Sequence, residues 1–171
     1  MLSRRVCLRS TAANALNVLR QQGYACSWAG ALAGDPAGRQ IAAELEQKGI
    51  DIRWAEFHPG ERPPLSQILH IRSSGSCTII HYRELPEFSV EAFARKDPAR
   101  FDRLHFEARN VPACAERLRR TRRAGYGKRI SLEVEKPGEG VEAPFPLAAV
   151  LLFSRALARL WTSAAACLLA H

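Results

Sequence analysis

Residues 1–34 contain no aspartate or glutamate, although Arg4, Arg5, Arg9 and Arg20 fall within them. That composition mimics a mitochondrial presequence, but a displaced start or a disturbed upstream reading frame is the preferred explanation. Cysteine is sparse and scattered, at positions 7, 26, 77, 114 and 167, so no Cys-x-x-Cys pair exists. An odd, dispersed set argues against a disulfide framework or a zinc site and makes a reducing cytoplasm the default location. No run of about 18 apolar residues occurs, the least that a membrane helix needs, and the stretch from Phe145 onward is broken by Arg155 and Arg159. His58, His70, His81, His105 and His171 each lack a partner at metal-ligand spacing, so no metal site is expected. Internal repeats and low-complexity tracts are missing as well.

What remains is ordinary for a soluble globular chain. Of 171 residues, 47% are hydrophobic and 25% charged, enough for one core and a single domain. The net charge of +8 raises the question of nucleic acid or an anionic surface. The densest basic run is Arg117, Arg119, Arg120, Arg122 and Arg123, on a helix predicted between Cys114 and Gly125. A solvated helix face is the simpler reading, and a basic module binding nucleic acid or other anions through residues 117–123 is the alternative. No RNP-like motif or aromatic–basic interleaving favours nucleic acid.

Periodicity and capping residues place the elements. Ala12, Ala15, Leu16 and Leu19 recur at helical spacing before Gly23. A strand is expected within residues 25–32. Asp35 has N-cap chemistry with Pro36 at the first helical position, Ile41, Ala42 and Leu45 form one apolar face, and Gly49 suits the left-handed cap. Residues 52–57 read as a strand, and residues 65–71 and 77–82 as a hairpin. Ser89 caps a short helix, residues 104–107 form a strand, and Asn110 caps a helix over 111–123 that tolerates Pro112 in its first turn. Strands follow at 130–135 and 150–153, with a helix from Ala156. Alternating strands and helices predict an α/β fold with a mainly parallel sheet flanked by helices and one antiparallel hairpin.

Several motifs carry a resemblance. Gly34-Asp35-Pro36-Ala37-Gly38 leads into a helix ending in Lys48-Gly49-Ile50-Asp51, Gly75-Ser76-Cys77-Thr78 sits in the hairpin, and Glu107-Ala108-Arg109-Asn110 follows a strand. Together with Ser131 to Pro137, these stretches resemble the PfkB/ribokinase family of carbohydrate kinases, most closely its ketohexokinase branch. The resemblance covers roughly residues 12–160 and implies a partial ribokinase-like (Rossmann-like) fold, a single incomplete domain. Members of that family are nearly twice as long.

The resemblance implies ATP-dependent phosphoryl transfer to a ketose such as fructose, with ATP and Mg²⁺ as cofactors and a homodimer left open. Asn14 matches the second of two substrate-binding asparagines, whereas the preceding Gly-Gly-Asn falls on Arg9, Ser10 and Thr11. This mismatch suggests that residues 1–11 are not ancestral. Asp35 reads as a helix cap rather than a base. Cys77 stands where the branch places a phosphate-contacting arginine, and a thiol cannot make that bidentate contact. Glu107, Arg109, Asn110 and Glu135 would line the crevice beyond the strand ends, and the simpler reading is an ion pair between the acid and Arg109 with Asn110 as a helix cap. Glu133 and Lys136 raise the same question. The family's Mg²⁺-organising Asn-x-x-Glu falls on Ser154-Arg155-Ala156-Leu157, and its Asp-Thr-x-Gly-Ala-Gly-Asp motif, with the base and anion hole, is missing from the chain. No catalytic residue is therefore assigned, and whether this chain is itself an enzyme is left open.

Overall fold

The computed structural model describes residues 11–71, 73 and 75–169. Of residues 1–11, expected not to be ancestral, residues 1–10 lie outside them. The chain divides into two compact units, Met1–Phe88 and Ser89–His171.

The first unit opens with α1 (Thr11–Gln21), followed by β1 (Cys26–Ser27), β2 (Ala31–Ala33), α2 (Pro36–Gln47), β3 (Ile50–Asp51) and β4 (Glu56–His58). β1 pairs with β3 and β2 with β4, both in parallel. Asp35 caps α2 as its chemistry requires: Oδ1 accepts from Gly38 N at 2.7 Å, and Pro36 takes the first turn where a missing N–H does no harm. Gly49 ends the helix at φ 71°. The buried face of α2 brings Ala42 and Leu45 against Ala13, Leu32, Ile50 and Ile52. Leu45 is fully buried, which contributes about 2 kcal/mol.

Two strands are shorter than the sequence pattern suggests. The strand expected within 25–32 splits into β1 and β2, joined through a bend at Gly30 whose carbonyl accepts from Glu56 N. The strand expected at 52–57 is interrupted because Asp51 folds back on its own chain. Its Oδ1 accepts from Arg53 N at 2.9 Å, a local bond that competes with the ladder, and only β4 resumes the pairing.

Asp51 also makes a measurable prediction. The Arg53 guanidinium, hydrogen-bonded to both carboxylate oxygens, holds the Asp51 carboxyl at about 2, well below the ordinary carboxylate range. A depressed folded-state value means that the pair's contribution is complete above about pH 3.9 and is lost as pH falls through about 2. A carboxyl ¹³C titration should show Asp51 still ionised at about pH 3, and Arg53→Gln should return it towards the normal range. An ordinary titration in the unsubstituted chain would refute the pairing.

β5 (Leu65–His70) and β6 (Cys77–Tyr82) form the antiparallel hairpin. Leu65, Ile68, Leu69, Ile79, Ile80 and Tyr82 are all exposed on it.

The second unit contains α3 (Val90–Ala94), β7 (Leu104–Glu107), α4 (Val111–Arg123), β8 (Ile130–Val134), β9 (Val150–Phe153) and α5 (Arg155–Leu169). Its parallel sheet runs β7–β8–β9. Alternation along β8 settles the two faces. Ile130, Leu132 and Val134 point into a core with Cys114, Leu118 and Leu157, while Ser131 and Glu133 point the other way. Short 3₁₀ turns at Pro98–Arg100, Gly127–Arg129 and Phe145–Leu147 were not legible from periodicity. The last of these is held by an aromatic cluster in which Phe145, Phe153 and Trp161 lie 5.2–5.8 Å apart between ring centroids.

Candidate functional site

The polar groups of the second unit converge beyond the C-terminal ends of β7 and β8. The last ladder bond of β7 runs from Ala108 N to the Glu133 carbonyl at 2.8 Å, after which the chain turns sharply, with Arg109 N donating to the Glu107 carbonyl. Asn110 completes the turn in the left-handed region at φ 42°, a conformation that asparagine tolerates better than most residues. Its Oδ1 accepts from Ala113 N at 3.4 Å and caps α4. Asn110 therefore positions the site through backbone geometry.

That turn aims Arg109 at two carboxylates. Its Nε lies 3.0 Å from Glu107 Oε2, and its Nη2 lies 3.9 Å from Glu135 Oε2. Glu107 is the more buried acid and Glu135 the more exposed. The Cys114 thiol donates to the Glu107 carbonyl at 3.5 Å and fixes the strand end from below. Burial pushes the Cys114 thiol up, so it is held as a neutral donor rather than a thiolate nucleophile.

A second polar ladder runs beneath this cluster on the same face of the sheet. His105 Nδ1 lies 2.9 Å from Ser131 Oγ, and His105 Nε2 lies 3.5 Å from Glu133 Oε2. Sequence reading treated His105 as a lone histidine. Period two puts His105 on one face with Glu107 and Ser131 with Glu133, and the β7–β8 register then sets the two pairs side by side.

Ser154 was named only as a position that could not organise Mg²⁺. It has a structural role: its Oγ donates to the Glu135 carbonyl at 2.6 Å and accepts from Leu157 N at 3.1 Å. The hydroxyl thus caps α5 and ties the end of β8 to it.

The remaining candidates lie in the first unit. Asn14 is exposed in the first turn of α1. Cys77 opens β6 opposite His70, and its side chain lies outside the described residues. Within the basic run Arg117 is only 9% exposed, while Arg119, Arg120, Arg122 and Arg123 are all exposed, the first two engaging the single Glu116 carboxylate at 3.6 and 3.0 Å.

The donor set does not fit Mg²⁺. A hard dication needs carboxylate oxygens with uncommitted charge, and here a guanidinium already stands between Glu107 and Glu135 while the Ser154 hydroxyl is taken up as a cap. Among the described residues no group of three acidic, histidine or cysteine side chains could hold a metal.

Parallel strands flanked by helices, with one antiparallel pair, define an α/β fold of the ribokinase-like class. The sequence matches the pfkB family of carbohydrate kinases over residues 11–165, and the chain belongs to that family. Ketohexokinase from Mus musculus is 30% identical over 165 residues, covering 92% of this chain and 55% of that protein. The chain thus spans about half the length of the curated relative it matches. The fold agrees with a fructokinase from Xylella fastidiosa solved with bound ATP, at TM-score 0.68 and 18% identity over 84% of this chain and 49% of that one. Aminoimidazole riboside kinase from Salmonella enterica, solved with its riboside and an ATP analog, superposes at TM-score 0.56 and 19% identity over 82% of this chain and 50% of that one. The expected α/β architecture, parallel strands with one antiparallel pair, is the architecture found. No helix among the described residues is long and apolar enough to cross a membrane.

Proposed function

We propose that this chain is ketohexokinase-like, descended from kinases that transfer a phosphoryl group from ATP to a ketose such as fructose, and that these 171 residues alone do not turn over. The observation that carries the reading is the Glu107–Arg109–Glu135 cluster at the C-terminal ends of two parallel strands, where open α/β sheets meet their ligands. Asn14 would hydrogen-bond a sugar hydroxyl from α1. Arg109 and Asn110 would orient a polar substrate or nucleotide in the crevice, and ATP would be the phosphoryl donor. A homodimer and a cytoplasmic location belong to the same reading.

The expected inactivity follows from chemistry. Phosphoryl transfer to an alcohol needs a base for the hydroxyl proton and N–H donors for the moving charge. The sequence contains no Asp-Thr-x-Gly-Ala-Gly-Asp to supply them, and Glu107 and Glu135 face a guanidinium rather than an acceptor hydroxyl. Losing base and anion hole together should lower the rate by at least about 10⁴-fold. The purified chain, freed of host kinases, should show no ATP-dependent phosphorylation of fructose above a mock preparation. Turnover that co-purifies with the chain and disappears in Arg109→Met would overturn the proposed inactivity and place the reaction at this crevice.

A further inference from the structure

The end of the second unit's sheet opposite Arg109 holds a different kind of surface. Arg122 from the last turn of α4, Gly125, Gly127, Lys128 and Arg129 from the turn into β8, and Ala149 ahead of β9 line an open groove of about 490 Å³. Its ionisable lining is wholly cationic, and Arg122, Lys128 and Arg129 are all exposed. Arg122 Nη1 donates to the Pro146 carbonyl at 2.9 Å, and the Arg129 guanidinium lies 5.8 Å from the Tyr126 ring centroid. Among the described residues neither these two nor Lys128 is neutralised by a carboxylate, whereas Arg119 and Arg120 on the same helix both reach Glu116.

Helix capping does not account for the charges. Three of the last four carbonyls of α4 are already satisfied by backbone: Arg120 O by Ala124 N, Thr121 O by Tyr126 N and Arg122 O by Gly125 N. The negative end of the helix dipole opposes an anion with about half an elementary charge, which three full positive charges outweigh. β8 is five residues long, so at about 3.3 Å per residue the groove lies roughly 15 Å from the Glu107–Arg109–Glu135 crevice.

We propose that this groove is a second anion site, for a compact oligophosphate of the di- or triphosphate class. Two guanidiniums offer forked donors for phosphate oxygens, and Lys128 adds a mobile third cation. The placement of the arginines favours a compact ligand over a long polyanion. An extended strand would need a continuous basic track, and along α4 from the groove Arg117 is buried and Arg119 and Arg120 are partly offset by the Glu116 carboxylate they share. The site does not depend on the kinase reading and uses none of the crevice residues.

Isothermal titration of the whole chain with sodium triphosphate at about 50 mM salt tests the site, because phosphate contacts weaken steeply with ionic strength. One binding event is expected, weakened at least about tenfold by Arg122→Gln/Arg129→Gln. Arg119→Gln/Arg120→Gln removes the same charge from the same helix without touching the groove lining, and should change affinity less than about threefold. ATP should compete and adenosine should not, which would place recognition in the phosphate tail. No binding, or equal loss in both double variants, overturns the proposal. So does a single-stranded oligonucleotide that binds more tightly than triphosphate and is unaffected by Arg122→Gln/Arg129→Gln. Should that variant fail to give the parent circular dichroism, Lys128→Gln on the exposed turn decides the matter: about threefold weaker binding supports the site, and unchanged binding removes it.

Discussion

Gly38→Ala should destabilise the first unit by about 3 kcal/mol, opposite in sign to what helix propensity gives. Inside a helix, alanine is favoured over glycine by about 1 kcal/mol. Here the first turn of α2 is pressed against the end of β2. A Cβ on residue 38 would fall on the Ala33 carbonyl oxygen, with the Ala33 carbonyl carbon at 2.7 Å and the Ala33 Cβ at 2.9 Å. Those atoms are buried backbone and a methyl group rather than the tip of a flexible side chain, so they cannot step aside. Relief would require α2 to lift away, weakening the Asp35 cap on Gly38 N and the seat of Leu45. Amide hydrogen exchange read at Leu45 and Ile50 should accelerate, because those amides report opening of this core. Unchanged or slower exchange in the alanine variant would show that the approach of α2 to β2 is not tight.

The same contact explains why the Gly34-Asp35-Pro36-Ala37-Gly38 motif was readable without any ligand. Asp35 and Pro36 are local choices, fixed by which backbone groups a helix start leaves unpaired, and local choices leave a trace in sequence. Gly38 is a tertiary choice. Its reason lies on β2, several residues earlier, and only the pattern of a related family marked it in advance. The misread strand at 52–57 has the opposite origin. Hydrophobic content suggested an extended segment, and one side-chain bond from Asp51 to the backbone of Arg53 was enough to break it.

The candidate site divides along similar lines. Glu107, Arg109, Asn110 and Glu135 were legible because they follow apolar runs that read as strands, and strand ends in parallel sheets collect function. The Glu107–Arg109 ion pair was an open alternative in the sequence, but its extension to Glu135 at the end of the neighbouring strand was not, and that extension leaves no ready metal cage. The pairing of His105 with Ser131 and Glu133 needed the register between β7 and β8, a long-range quantity. The basic run at 117–123 was legible only as charge. Helical geometry then sorts it residue by residue, turning Arg117 inward, giving Arg119 and Arg120 to Glu116, and leaving Arg122 for the groove.

Leu132→Ala should cost about 3–4 kcal/mol, whereas Leu152→Ala one strand away should cost less than about 1 kcal/mol. Leu132 is 0% exposed at the centre of β8, with ladder partners on both sides. Phe106 and Leu151 flank it in register, and Cys114, Leu118 and Leu157 belong to the same core cluster. A strand bonded on both edges cannot shift to fill the cavity left by an isobutyl group, so the transfer and cavity terms add. Leu152 pairs with Glu133 in the same sheet, but it points to the other face and is 48% exposed. Trp161 packs against the core through Phe145 and Phe153, so its fluorescence in urea reports this unit in a background carrying Trp28→Phe and Trp54→Phe. The midpoint should fall sharply for Leu132→Ala and barely move for Leu152→Ala. Equal losses at the two positions would mean that the Leu152 face is covered too, and that the sheet is not packed chiefly against α4 and α5.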